Sequence, residues 1–201
     1  MIALIDYDAG NIKSVEKALE YLGAATVLTR DPETILKADK VILPGVGAFG
    51  DAMNKIRGYD LEQVIIDVVK KGTPFLGICL GLQLMFETSE ESPGVTGLSL
   101  LKGSILKIPA GEYEKIPHMG WNSLHLKNDG RLFKGIDEGA YVYFVHSYYL
   151  KASDDAIVRA ETSYNTCIHA SVEKDNLFAC QFHPEKSSSV GLKILRNFMD
   201  I

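Results

Sequence analysis

The segment Thr73-Pro74-Phe75-Leu76-Gly77-Ile78-Cys79-Leu80-Gly81-Leu82-Gln83 restricts the fold of this chain more than any other stretch. An apolar run follows Pro74, a glycine stands on either side of Cys79, and Leu80, Leu82, Leu84, Met85 and Phe86 come next. That order reads as a buried strand turning sharply into a helix. At such a turn the sulfur projects from the carboxyl end of the sheet, along the N-terminus of the helix. The helix dipole there favours thiolate over thiol, so Cys79 is expected to be reactive near neutral pH.

The first half of the chain keeps the same alternation. Ile2 to Asp6 reads as a strand, Asn11 caps a helix with Ile12, Val15, Leu19 and Leu22 on one face, and Gly23 closes it. The Val27 region, Lys40 to Leu43 and Pro74 to Ile78 are further strands, with a helix around Leu61 to Lys71 between the last two. From about Ser104 the pattern changes to short β-rich runs: Ile105 to Ile108, Ala140 to Tyr149, Ala156 to Thr162, His169 to Val172 and Leu177 to Phe182. A final helix runs from about Ser188 to Phe198. The expectation is an α/β fold: a mostly parallel central sheet with helices on both faces and a β-rich C-terminal half. No repeat or linker divides it, so residues 1–201 are taken as one domain, long enough to bury roughly 70% of its unfolded surface. Glu112 to Glu114 and Asn128 to Gly130 read as surface loops.

Cys180-Gln181-Phe182-His183-Pro184-Glu185 supplies partners for the sulfur. In an extended chain His183 and Glu185 project to one face and Pro184 to the other, and the fixed φ of proline stiffens the pair. One carboxylate can then orient the imidazole. This is the nucleophile, base and orienter logic of a hydrolytic triad with Cys79 as the attacking atom. A lone cysteine or histidine in an apolar stretch is ordinarily a packed residue, and Cys167, Cys180 and His146 keep that reading. Cys79 does not, because mere packing needs neither Gly77 nor Gly81. A metal site is the other alternative, but Cys79, His183 and Glu185 are only three candidate ligands without CxxC or HxxxH spacing. No metal or cofactor is expected.

Charge and composition narrow the partners. A formal charge of -5, from 26 acidic and 21 basic residues without a basic run, argues against nucleic acid. The apolar run Met1 to Ile5 is too short for a signal core, and no stretch approaches spanning length, so no membrane is expected and the chain is read as cytoplasmic. Three cysteines do not make a disulfide framework, in keeping with a reducing compartment.

Chemistry at a carbonyl carbon needs donors aimed at the oxygen that becomes negative. The amide of Leu80 is one candidate, since it follows the nucleophile at the helix N-terminus. Gly45-Val46-Gly47 could supply another, because two glycines let backbone approach a ligand; a plain turn from strand to helix is the alternative.

The runs Gly77 to Gln83 and His183-Pro184-Glu185 resemble the two signatures of the class I, triad-type glutamine amidotransferase family. Ile5 to Ile12, Leu43 to Gly50, Pro117-His118-Met119-Gly120-Trp121-Asn122, Tyr143 to Tyr148 and Glu185 to Ser188 are similar, within that family, to the glutaminase subunits of imidazole glycerol phosphate synthases of histidine biosynthesis. The resemblance covers about Ile2 to Phe198. It implies a three-layer, flavodoxin-like fold and hydrolysis of glutamine by Cys79, His183 and Glu185. It also implies an oxyanion site at Val46, Gly47 and Leu80. Gly45, Gly47, Gln83 and the backbone of Ser147 and Tyr148 would hold the amino-acid end of glutamine. A heterodimer is implied as well, with a barrel-shaped cyclase subunit that uses the ammonia to make imidazole glycerol phosphate and AICAR. Asn11, Met119, Trp121 and Lys186 would face that partner, although Trp121 lies in a segment that reads as loop and could instead be buried.

Other assignments stay open at this point. The glutaminase component of anthranilate or aminodeoxychorismate synthesis would share the triad but not Pro117 to Asn122 or Glu185-Lys186. A stand-alone cysteine hydrolase of the same fold would need no partner. Intact Cys79, His183 and Glu185 argue against a non-catalytic interaction subunit.

Overall fold

Ala3, Ile5, Val41, Leu43, Phe75, Leu177 and Ala179 pack into one apolar cluster, whereas Ile2, Leu4, Ile42, Leu76, Ile78, Phe178 and Cys180 pack into another. Neighbours along each strand alternate between the two, so the sheet they form is buried on both faces. A computed structural model describes residues 1–111, 115–127 and 129–201 of the chain. Glu112 to Glu114 and Asn128, expected in surface loops, lie outside the described residues.

The N-terminal part runs β1 (Ile2–Ile5), α1 (Ile12–Tyr21), β2 (Thr26–Thr29), α2 (Pro32–Lys37), β3 (Lys40–Leu43), α3 (Phe49–Gly58), α4 (Leu61–Lys70), β4 (Phe75–Ile78) and α5 (Leu80–Leu84). The β-rich part follows as β5 (Thr88–Ser89), β6 (Gly103–Lys107), β7 (His118–Ser123), β8 (His125–Leu126), β9 (Tyr141–His146), β10 (Tyr148–Ala152), β11 (Val158–Tyr164), β12 (Thr166–Lys174) and β13 (Leu177–Cys180). A 3-10 turn at Pro184–Lys186 leads into α6 (Ser188–Asp200).

The main sheet has the order β2-β1-β3-β4-β13-β12-β11-β8. Its first five strands are parallel and the last three antiparallel. Helices α1 and α6 cover one face through Ile12, Val15, Leu19, Ile194, Leu195 and Phe198, and α2 to α5 cover the other. This is the expected three-layer α/β arrangement, with the strand order of a doubly wound sheet over its parallel half. Smaller sheets, β10-β6-β5 and the ribbon β7-β9, flank it. No described helix is long and apolar enough to cross a membrane.

Several elements differ from expectation. Two helices, not one, join β3 to β4. The start of α3 has no local cap: the amides of Phe49 and Gly50 donate to Glu91 Oε2 and Ser92 Oγ at 2.8 and 2.9 Å, partners remote in the chain. Helix α2 also went unassigned, although Asp31 caps it by accepting from the Thr34 amide at 2.8 Å and Pro32 opens it. Ala140 to Tyr149 is not one strand but breaks at Ser147, with β9 and β10 in different sheets. Pro117 to Asn122, read as loop, is largely strand β7, because β9 supplies a full antiparallel ladder from His118↔His146 to Ser123↔Tyr141. Cys167, read as packed, is exposed on β12, whereas Cys180 is fully buried.

Ser187 ties three of these pieces together. Its hydroxyl donates to the carbonyl of His183 at 2.6 Å and accepts from the amide of Tyr143 at 2.9 Å, so it fixes the Pro184–Lys186 turn against β9. Ser187→Ala would leave the Tyr143 amide without a partner, which costs about 2 kcal/mol for a buried group. The expected result is a urea midpoint lowered by that energy divided by the m-value, with the m-value unchanged.

Candidate functional site

Four parallel strands deliver the site at their carboxyl ends, where ligands bind in doubly wound sheets. β1 leads to Tyr7–Asn11, β3 to Pro44–Gly47, β4 to Cys79, and β13 to Gln181–Glu185. Cys79 has φ 55 and ψ −108, a backbone conformation that costs on the order of 1–3 kcal/mol for a non-glycine residue. The surroundings enforce it. Its amide donates to the carbonyl of Cys180 at 2.8 Å. A Cβ on Gly81 would stand 1.8 Å from the Leu43 carbonyl oxygen, and one on Gly77 would stand 2.7 Å from the Met85 sulfur. Both glycines flanking the elbow are therefore required by close backbone approach.

His183 and Glu185 meet, but not in the extended geometry expected from the sequence. Pro184–Lys186 is a 3-10 turn, closed by the Lys186 amide on the His183 carbonyl at 3.0 Å, and it folds Glu185 back onto the ring. Proline suits the first position of such a turn because its φ is already set and it has no N–H to satisfy. His183 Nδ1–H donates to Glu185 Oε1 at 2.8 Å, and the Glu185 side chain has 0% exposure. The carboxylate thus fixes the proton on Nδ1 and leaves Nε2 for the chemistry. Among the described residues Nε2 has no hydrogen-bond partner and is buried, as is Glu185 Oε2. Burial works against a charged imidazole, but Cys79 and then Glu185 outweigh it and lift His183 to about 10. The site therefore favours a charged imidazolium beside the sulfur.

Asn11 is not the helix cap expected of it. Its backbone is left-handed, at φ 64, and its side chain makes no cap bond. Instead Nδ2 donates to Glu185 Oε1 at 3.2 Å, while Oδ1 accepts from Ser14 Oγ.

Beside Cys79 lies a cavity of about 360 Å³, lined by Val46, Gly47, Leu80, Gln83, Glu91 and the Val145–Tyr148 segment among others. Every expected glutamine-binding residue except Gly45 lines it; Gly45 borders the adjoining cleft with His183 and Glu185. Gln83 Nε2 donates to the Tyr148 carbonyl at 3.0 Å and to Gln181 Oε1 at 3.1 Å, and Gln181 Nε2 reaches Cys79 Sγ at 3.8 Å. The expected oxyanion donor at Leu80 is occupied: its amide donates to the Gly45 carbonyl at 3.3 Å. Gly47 adopts φ +113, a conformation only glycine holds without strain, so the turn is not a plain one. Gly45 has no room for a Cβ, which would lie 2.1 Å from Tyr7 Oη, the donor to the Pro44 carbonyl.

Sequence reasoning missed Glu91, Gln181 and Tyr7. Gln181 sits two residues before His183 in the same motif, which was a usable signal. Glu91 and Tyr7 carry none in their local sequence. Among the described residues no group of three His, Cys, Asp or Glu could hold a metal ion. Met119 and Trp121 are 61% and 52% exposed, Lys186 is exposed, and the Trp121 ring stands edge-on to Tyr143 beside the His183 turn. The residues expected at a partner interface thus border the site from outside.

The model of the class-I glutamine amidotransferase family matches residues 3–201. Imidazole glycerol phosphate synthase subunit HisH of Methanothermobacter thermautotrophicus is 49% identical over 201 residues, covering 100% of this chain and 98% of that protein. HisH of Caldanaerobacter subterraneus is 50% identical over 198 residues, covering 98% and 97%. Among solved structures, PurLQS from Thermotoga maritima matches with a TM-score of 0.73 at 22% identity, over 99% of this chain and 97% of that one, a likeness of fold.

The raised basicity of His183 gives a pH window for stability. The unfolded imidazole releases its proton near 6.5 and the folded one near about 10. The stabilisation from the charged ring is therefore full below about pH 6.5 and is lost as pH rises through about 10. His183→Gln should destabilise the chain most at the acid side of that window, with the difference from wild type shrinking toward its alkaline side, as read from urea midpoints across pH.

Proposed function

The chain belongs to the class-I glutamine amidotransferase family and, within it, to the HisH subunits of imidazole glycerol phosphate synthase, and from that premise we propose how its residues release ammonia from glutamine for a cyclase subunit. The Cys79 thiolate attacks the carboxamide carbon of glutamine. His183 gives its proton to the departing nitrogen, so ammonia leaves and a γ-glutamyl thioester remains. Now neutral, Nε2 of His183 takes a proton from water, the hydroxide adds to the thioester carbon, and glutamate leaves as the thiolate returns. Glu185 orients the imidazole throughout. The single observation behind this reading is the buried His183 ring, bonded to Glu185 through Nδ1 and free at Nε2, at the strained Cys79 elbow beside a polar cavity.

Glutamine fits that cavity by charge as well as by size. Glu91, the one carboxylate among the described residues that line it, suits the α-ammonium group, and the Ser147–Tyr148 backbone with Gln83 suits the α-carboxylate end. Ammonia in neutral water is mostly protonated and no longer nucleophilic, which favours release into a closed interface. The exposed Met119 and Trp121, with Asn11 and Lys186, are the surface we assign to the cyclase, since Met and Trp are the side chains that anchor interfaces. With this function go a single domain over residues 1–201, a cytoplasmic location and a heterodimer.

The Leu80 amide must be freed for the oxyanion. Rotating the Gly45–Val46 peptide would withdraw the Gly45 carbonyl and turn the Val46 amide toward the same place, converting an acceptor into a donor. Cyclase contacts that prefer the rotated state by about 1.4 kcal/mol raise its population tenfold.

In the assembled complex, Cys79→Ser should abolish glutamine-dependent product formation while sparing turnover with ammonium salts. Glutamine-dependent turnover near wild type would remove Cys79 as nucleophile. Gly47→Ala, which puts a side chain at φ +113, should reduce activation by the cyclase and its ligand at least tenfold while leaving cyclase affinity within about threefold. A coupled glutamate assay and titration calorimetry measure the two separately. Equal losses in both would place Gly47 in docking instead of in control.

A further inference from the structure

We propose that His146, held in one tautomer by the Tyr148 carbonyl and braced by His118, is a positioning residue that holds the Ser147–Tyr148 backbone and so sets affinity for glutamine. The inference rests on the assignment above that this backbone receives the amino-acid end of the substrate.

His118 and His146 are paired directly across β7 and β9, and both are buried. Nδ1 of His118 lies 3.0 Å from Nε2 of His146. Which nitrogen carries hydrogen is decided from the two ends. At one end, His146 Nδ1 is 2.9 Å from the Tyr148 carbonyl, which can only accept, so that nitrogen bears the proton. At the other, Asn122 Oδ1 accepts from the Ser123 amide at 2.8 Å, and Nδ2 donates to the Ser163 carbonyl at 3.0 Å, which fixes the orientation of that side chain. Its Nδ2 also faces His118 Nε2 at 3.3 Å, making that ring nitrogen an acceptor. His118 Nδ1 then carries the hydrogen and donates to His146 Nε2. Both ends demand the same pattern: two neutral rings, each protonated on Nδ1.

Burial opposes charge on both rings. Burial pushes His118 down to about 4. Burial, and then the like charges of His118 and His183, push His146 to about 3 against the raising effect of the Tyr148 carbonyl. The His118 ring is also clamped by stacking on Phe144 and Tyr164, with centroids 4.7 and 3.9 Å away.

The carbonyl that His146 holds is the one that anchors Gln83 at 3.0 Å. Ser147, between them, belongs to neither β9 nor β10, so the His146 bond helps fix the chain where the ladder is interrupted. Without it, Tyr148 and Gln83 could shift together and the cavity wall would loosen.

The test uses the assembled complex and three variants. His146→Leu removes the donor, His146→Asn restores an N–H near the Nδ1 position, and His118→Phe keeps the stack but removes the bond that braces the His146 ring at Nε2. We expect His146→Leu to raise KM for glutamine about tenfold, equivalent to about 1.4 kcal/mol, with kcat within about twofold. His146→Asn should bring KM back to within about threefold of wild type, and His118→Phe should fall between. Nitrogen NMR of histidine-labelled protein should show both rings neutral and protonated on Nδ1, and His146 should keep that tautomer in His118→Phe, where the Tyr148 carbonyl still requires it. An unchanged KM in folded His146→Leu, or either ring charged or protonated on Nε2 alone near neutral pH, overturns the proposal. Failure of the wild-type complex to hydrolyse glutamine would instead remove the functional assignment, a separate outcome from a wild-type enzyme indifferent to His146.

Discussion

The elbow at Cys79 depends on how closely three adjacent parallel strands approach one another. β4 lies between β3 and β13, and its end is held from both sides: the Cys79 amide by the Cys180 carbonyl, and Gly81 by contact with the Leu43 carbonyl. A positive φ at a cysteine does not persist by local preference. It persists here because ladders on both flanks and an apolar cluster on each face leave no space for the relaxed alternative. Gly77 and Gly81 are consequences of that compression. The same three strands carry the Pro44–Gly47 loop, the nucleophile and the His183 turn, so the strain and the chemistry share one support.

Electrostatics follow from this packing. The Glu185 side chain is wholly inaccessible, which a carboxylate tolerates only when charge and hydrogen bonds compensate its lost hydration. His183 and Asn11 provide that compensation on one oxygen. Asn11 stands at the head of α1, so the first turn of the fold is bonded directly to the last motif of the chain. The polar groups around Cys79 are arranged likewise, with Tyr148, Gln83 and Gln181 forming a continuous path of hydrogen bonds to the sulfur.

Strand β7 shows how one short segment serves surface and interior together. His118 points inward to His146, while Met119 and Trp121 stay in solvent. The strand period of two makes that division, and pairing with β9 makes the strand.

What the sequence determined by itself was local. Continuous apolar runs marked β1, β3, β4 and β13, glycines marked the turn at Cys79, and His183-Pro184-Glu185 announced an oriented base. Each of these signals lies in a window of a few residues, where backbone preference and side-chain period act directly. Tertiary structure decided the rest. It capped α3 with Glu91 and Ser92, made a strand of Pro117 to Asn122, split the run at Ser147 between two sheets, and folded Pro184 into a turn. It also diverted Asn11 from capping to Glu185 and set the Gly45 carbonyl on the Leu80 amide. In these cases the deciding partner lies elsewhere in the chain, and a hydrogen bond or contact made only after folding outweighs a local preference worth at most about 1 kcal/mol per residue.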